Sequence, residues 1–275
     1  MPKKNILNLS SLDNIETTLG KRIGSVWLLK SIAEKIGISK ALGSDQNAQM
    51  AMLQIIARVA NQGSRLSAVR FAKRHAVCEI LGIKKLNEED LYENLAWLAN
   101  RQEAIEKKLF LHRFPEKPPT LFLYDVTSTY LEGMCNELAN WGYNRDKKKG
   151  KMQIVIGLLT GPDGLPVAVR VFEGNTPDTK TVSEQVRSLA ESFGVKDVTL
   201  VGDRGMLKGP QIKALPDDFG YITAITKPQI HNMLSKGVLQ LELFDKTVCE
   251  VEDNGIRYVL RRNPFRAEQI ASTRL

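Results

Sequence analysis

The sequence predicts a chain of mixed α and β character. An N-terminal helical domain precedes a mixed β-sheet core of the α+β or α/β class, followed by further strand-like text. Three observations carry this reading. Apolar residues recur at helical spacing up to about residue 113 and at strand spacing after residue 120. Between the two lies Phe114-Pro115-Glu116-Lys117-Pro118-Pro119-Thr120, whose clustered prolines end any helix. Beyond that junction the elements follow the order β-β-β-α-β. A chain of 275 residues is long enough for two such domains.

The helical elements come first. Ser25 to Leu42 carries Val26, Leu29, Ile32, Ala33 and Ile36 at helical spacing and stops near Gly37 or Gly43. Asn47 to Val59 places Met50, Leu53, Ile56 and Ala57 on one face. A third helix is expected over about Ser67 to Leu81. The fourth opens with Asn87 as N-cap and Glu88, Glu89 and Asp90 in its first turn, where the helix dipole favours acids. Its apolar stripe reads Leu91, Leu95, Leu98, Ile105 and Leu109.

After the junction the period changes. Leu121 to Thr127 is a short apolar, β-branched run and reads as a buried strand. Residues 136–151 are polar and basic, a loop. Met152 to Thr160 and Leu165 to Phe172 are strands around the turn Gly161-Pro162-Asp163-Gly164, which makes them a hairpin. Pro177 to Phe193 is helical, stopped by Gly194. Val198 to Val201 is a strand ending at Gly202-Asp203-Arg204-Gly205. A helix from about Lys208 to Leu215, a strand over Gly220–Ile225 and strand-like text from Val238 to Leu260 complete the chain. The boundaries are therefore 1–113 for a basic helical domain, 114–120 for the junction, 121–226 for the sheet core and 227–275 for the remainder, which the family resemblance given below makes the start of a β-rich insertion and a tail.

Composition narrows the function classes. The chain is 43% apolar and 25% charged, which excludes a disordered polymer, a collagen and a coiled coil. No apolar run is long enough to span a membrane, and no apolar segment follows the N-terminal lysines as in a signal peptide, so a cytoplasmic location is expected. Cys78, Cys135 and Cys249 form no Cys-x-x-Cys pair, against a disulfide scaffold or a structural zinc site. Residues 1–120 hold 19 basic and 12 acidic side chains, and residues 121–275 hold 20 and 19. A basic front half on a near-neutral back half suggests a polyanion partner such as nucleic acid, or simply a solvated basic surface. Neither a Gly-x-Gly-x-x-Gly nor a phosphate-loop motif is present, which disfavours nucleotide-binding folds.

The order β-β-β-α-β is that of a ribonuclease H-like core, in which the first and fourth strands lie side by side. Asp125 and Asp203 then share one edge of the sheet. An Asp at a strand end is commonly a cap or turn former. Asp125 instead interrupts an apolar strand, where an unpaired charge is costly. Two close carboxylates repel unless a cation neutralises them, which implies Mg²⁺ or Mn²⁺ as cofactor. Such metals activate an attacking oxygen and stabilise the leaving one in phosphoryl transfer.

Four segments, YDVTSTYLEG (124–133), WGYNRDKKKGKMQIVIGLL (141–159), VFEGNTPDTKT (171–181) and VGDRGM (201–206), resemble the DDE transposases of bacterial insertion sequences, the IS-four superfamily. The resemblance is detailed over 120–206 and loose from about 20 to 265. It implies that Asp125 is the first catalytic acid and Asp203 the second, both holding metal. It also gives the basic run Arg145, Lys147, Lys148, Lys149 and Lys151 a grip on phosphates of the transposon end, against the alternative of a solvated charge run. Arg204 faces a phosphate or pairs with a carboxylate. Glu173-Gly174-Asn175-Thr176 reads as a positioning loop, with Glu173 outside the metal set.

In the front half, Leu29–Leu42 suggests a helix-turn-helix with Gly37 in the turn, although two core helices would look the same. Arg65, Arg70, Lys73 and Arg74 form the better DNA-facing cluster. His75, His112 and His231 form no metal-spaced pair.

The resemblance implies a third acid, a Glu on a helix beyond a β-rich insertion, and the family's Tyr-x-x-Arg…Glu…Lys helix is not found here. Glu242 sits in strand-like text, and Glu268 follows too short an insertion. A C-terminally truncated transposase with two of three acids is therefore the expectation. Its partners would be double-stranded DNA, both transposon ends and target, with a homodimer implied by paired-end chemistry and no membrane. The alternatives are an inactive DNA-binding remnant or inhibitor, and a ribonuclease H-like nuclease acting on RNA.

Overall fold

The computed structural model describes residues 20–133, 135–143, 150–239, 248–261 and 272. The chain divides into two compact units between Pro118 and Pro119, inside the proline-rich junction.

The first unit is helical: α1 (Gly24–Lys35), α2 (Ile38–Leu42), α3 (Gln46–Asn61), α4 (Arg65–Arg74), α5 (Val77–Leu81) and α6 (Glu88–Arg113). Its centre is α3. Asp45 caps it, with Oδ1 accepting the Ala48 N–H at 2.8 Å. Ala48, Ala51, Met52, Leu53, Ile56 and Ala57 are all buried, as expected of a helix enclosed by its neighbours. One polar side chain sits among them. Gln54 donates from Nε2 to the Leu91 carbonyl at 3.2 Å and to Asn94 Oδ1 at 2.8 Å. Asn94, itself fully buried, donates to the Asn47 carbonyl at 2.9 Å. The bonds satisfy groups whose burial would otherwise be costly.

The expected helices are present with two breaks. Gly37, at φ 85°, separates α1 from α2, and α2 is a single short helix whose Ala41 and Leu42 are buried. The expected third helix is interrupted at His75, which takes up an extended backbone (φ −119°, ψ 147°). The cause is a long-range bridge. Arg22 donates its N–H to the Arg74 carbonyl and accepts from Ala76 N–H, both at 3.0 Å, so the main chain at this point pairs outside the helix. Asn87 forms the capping box with Asp90 at the start of α6. The buried line of α6 runs through Leu91, Asn94, Glu106 and Phe110, and Leu95 is exposed.

The second unit is built on β1 (Leu121–Tyr130), β2 (Gln153–Thr160), β3 (Pro166–Phe172), β4 (Val198–Gly202) and β5 (Phe219–Ile222), in the sheet order β3-β2-β1-β4-β5. The hairpin strands β2 and β3 are antiparallel to their neighbours, and β1, β4 and β5 run parallel. This mixed sheet has the ribonuclease H-like order. On β1, Phe122, Tyr124 and Val126 are buried while Leu123, Asp125 and Thr127 face outward, the alternation of a half-covered strand. The crossover from β3 to β4 runs through α7 (Asp178–Arg187), whose Val182 and Val186 are buried, and a π-helical turn, Ser188–Ser192. Arg170 on β3 donates to Ser188 Oγ at 2.9 Å and ties that turn to the sheet. The remaining described elements are α8 (Gly209–Lys213), α9 (Lys227–Ser235) and the hairpin β6 (Cys249–Asp253) and β7 (Ile256–Leu260), closed by Asn254-Gly255. Among the described residues no helix is long and apolar enough to cross a membrane.

Candidate active site

The register of one strand pair builds the site. β1 and β4 pair in parallel, with Tyr124 opposite Gly202. The next residues along the chain are Asp125, inside β1, and Asp203, just past the end of β4, so two carboxylates follow at the same level. Both side chains are exposed. Asp125 Oδ1 accepts the Val126 N–H at 2.8 Å, and Asp203 Oδ1 accepts the Arg204 N–H at 2.6 Å. Each carboxylate is thus steadied by its own main chain.

The turn after β4 is anchored from below. The N–H groups of Met206 and Leu207 both bond the Asp203 carbonyl, at 3.0 and 3.2 Å, and both side chains are buried. Arg204 stays exposed beside Asp203. A third carboxylate borders this turn: a Cβ added at Gly205 would lie 3.8 Å from Asp203 Oδ2 and 3.9 Å from Asp178 Oδ2. Asp178 opens α7, and the sequence reading assigns it no role. Its one signal is its place after Pro177 at a helix start.

The loop after β3 is held by close packing. Gly174 accepts from Gln153 Nε2 at 2.8 Å and donates to the Leu138 carbonyl at 2.9 Å. A Cβ at Gly174 would lie 1.9 Å from the Gln153 carbonyl, so only glycine fits there. Gln153 Nε2 also reaches the Tyr143 carbonyl at 3.1 Å. This interlocking fixes the loops at the Tyr130 end of β1, where Gln153 begins β2.

The basic residues are dispersed by the fold. Arg145, Lys147, Lys148 and Lys149 lie outside the described residues. Lys151 pairs with Glu132. In the helical unit, Arg65 donates to the Gln54 side chain and belongs to the buried network. Lys73 lines one concavity with Lys21 and Lys84, while Arg70 and Arg74 line another with Arg22. Glu242 and Glu268 lie outside the described residues. Among the described residues no group of three or more His, Cys, Asp and Glu side chains is placed to hold a metal ion. Asp125, within β1, and Asp203, just past β4, offer a pair of hard oxygen donors. That donor set fits Mg²⁺ or Mn²⁺, which bind a few carboxylates and keep several waters.

Residues 116–274 match the family described as Transposase DDE domain. Among curated proteins none matches this chain. Of the solved structures, a piggyBac transposase synaptic complex with hairpin DNA superposes with a TM-score of 0.43 at 12% identity, covering 78% of this chain and 48% of that one. The Mos1 strand transfer complex gives 0.25 at 10% identity over 71% of this chain and 65% of that one. The chain thus spans about half the length of the piggyBac protein it is similar to.

Proposed function

Because this chain belongs to the DDE transposase family, we propose that it binds the ends of a transposable element, hydrolyses phosphodiesters there and joins the freed 3′ hydroxyl to target DNA. The observation that carries this reading is the parallel pairing of Tyr124 with Gly202, which brings Asp125 and Asp203 onto one sheet edge.

In this reading Asp125 and Asp203 are the catalytic acids and would hold Mg²⁺ or Mn²⁺. When bound, such an ion makes a water or hydroxyl oxygen a better nucleophile and neutralises charge on the phosphate. The chain's own residues set the geometry. The Val126 and Arg204 N–H groups each hold one oxygen of the neighbouring carboxylate. Arg204, exposed beside Asp203, would contact a phosphate oxygen. Arg145, Lys147, Lys148, Lys149 and Lys151 would hold the backbone of the flanking DNA, Lys151 by exchanging Glu132 for phosphate. Arg70, Lys73 and Arg74 supply phosphate contacts from the helical unit, with Arg65 shaping that unit from within. Strand joining at two ends calls for a homodimer.

The test is cleavage of a supercoiled plasmid carrying the DNA that flanks the chain's own coding sequence. Mg²⁺-dependent cleavage abolished by Asp125→Asn or Asp203→Asn is the expected result. A second reading, a DNA-binding remnant that occupies ends without cutting, draws on the two-carboxylate donor set among the described residues. End binding with no cleavage, unchanged by either substitution, is its signature. Cleavage confined to RNA–DNA hybrids would instead identify a ribonuclease.

A further inference from the structure

Arg22 is 52 positions from Arg74, yet the main chain joins them. The bridge from Arg22 to Arg74 and Ala76 carries the Arg22 side chain to the end of α4. There it borders a concavity of about 170 Å³ lined by Arg22, Asn61, Ser67, Arg70, Arg74 and the Phe71–His75 pair. Ser67, Arg70, Phe71 and Arg74 follow the i, i+3, i+4, i+7 stripe of one helix face. The His75 ring stacks on Phe71 with centroids 3.9 Å apart and planes at 14°, and its Nδ1 lies 3.1 Å from the Phe71 carbonyl. Asn61 Nδ2 donates to Ser67 Oγ at 2.7 Å. The floor and walls are therefore ordered by the main-chain bridge and these contacts, without help from the arginine side chains.

Among the described residues, no acidic side chain lines this concavity. Among the described residues, none of Arg22, Arg70 and Arg74 is paired with a carboxylate. Three arginines lining one hollow can bring fork-shaped donors and a concentrated positive field to it, the chemistry that recognises phosphate oxygens. A carboxylate-rich peptide would meet the same charge, but the hollow has room for a small compact group and only one apolar wall, the Phe71–His75 stack.

We propose that this hollow seats a phosphate group, with Arg22, Arg70 and Arg74 as its ligands, and that the Arg22 bridge exists to complete it. Taken with the function proposed above, the phosphate belongs to a DNA backbone, and the pocket anchors the helical unit on the duplex without reading sequence. Lys73 faces a different concavity and takes no part.

The experiment uses the full chain and two probes. Inorganic phosphate is titrated against thermal unfolding of the wild type, Arg22→Gln, the double variant R70Q/R74Q and the exposed control Lys35→Ala. The same proteins are then titrated with a random-sequence duplex over a salt series. Phosphate should raise the unfolding temperature of the wild type and the control in a saturable way. That effect should disappear in both pocket variants, with their circular dichroism unchanged. Arg22→Gln keeps the main-chain bridge, so it tests the pocket even if the double variant unfolds. Duplex affinity should fall about 10-fold or more in the pocket variants, and the slope of log affinity against log salt should drop by about one. Saturable phosphate stabilisation with an unchanged salt slope would keep the pocket and assign it to free phosphate. Absence of phosphate stabilisation in the wild type, or its persistence in Arg22→Gln, overturns the proposal. Neither result bears on Asp125 and Asp203, whose cleavage test fails or succeeds separately.

Discussion

Tyr124 lies opposite Gly202 in the parallel register of β1 and β4, and the residue after each is an aspartate. That single relationship brings two carboxylates 78 positions apart in the sequence to the same level of the sheet. It rests on backbone hydrogen bonds of a central strand pair, flanked on one side by the β2–β3 hairpin and on the other by β5.

Replacing either acid should therefore remove chemistry and spare binding. Asp125→Asn and Asp203→Asn keep shape and lose charge. Each should lower metal-dependent cleavage by at least about 100-fold, in the range seen when a single electrostatic contributor is deleted from an active site. Duplex affinity measured by anisotropy should stay within about 2-fold, since phosphate contacts by cations carry it.

The buried amide network of the helical unit gives a stability prediction. Asn94→Ala leaves Gln54 Nε2 short of one acceptor and removes the donor to the Asn47 carbonyl. Stranded buried polar groups cost about 1–3 kcal/mol, so the urea midpoint of the helical unit should fall accordingly. An unchanged midpoint would mean that water replaces the lost bonds.

Gly174 should tolerate no side chain. Its Cβ would meet the Gln153 and Asn140 carbonyls, which are main-chain atoms of the locked loop. Gly174→Ala is expected to cost about 2–3 kcal/mol as an overpacking defect, read as a drop in the unfolding midpoint of the second unit.

The two described free cysteines should differ in reactivity. Burial pushes the Cys78 thiol above its ordinary range, with neighbouring Glu79 adding to the shift, whereas Cys135 is exposed. Only the thiolate is nucleophilic, so Cys135 should be alkylated first near neutral pH. Cys78 modification should keep accelerating at pH values where an ordinary thiol has levelled off. Mass spectrometry of timed iodoacetamide reactions measures both.

Much of the architecture was legible in local pattern. Asn87-x-x-Asp90 announces the start of α6, and the apolar run Leu121 to Thr127 announces β1, although the strand is covered on one face only and not buried as that run suggests. The Thr226-x-x-Gln229 capping box equally announces α9, although the sequence reading places no helix there. What local pattern cannot hold is pairing over distance. The break at His75 comes from Arg22, and the burial of Asn94 comes from Gln54 and Asn47; neither has a signature in its own segment. The same holds for Arg65, which composition groups with Arg70 and Arg74 but the fold turns toward Gln54. Asp125 and Asp203 were legible because strand order, unlike side-chain contact, follows from the succession of elements.

The most direct test of the central claim is Mn²⁺ binding followed by electron paramagnetic resonance. The wild-type chain should remove free Mn²⁺ signal saturably. Asp125→Asn and Asp203→Asn should each weaken that binding by at least about 10-fold, since loss of a ligand should cost no less than loss of its supporting partner. Mn²⁺ binding of wild-type strength in both variants would contradict a shared cation site at the β1–β4 edge.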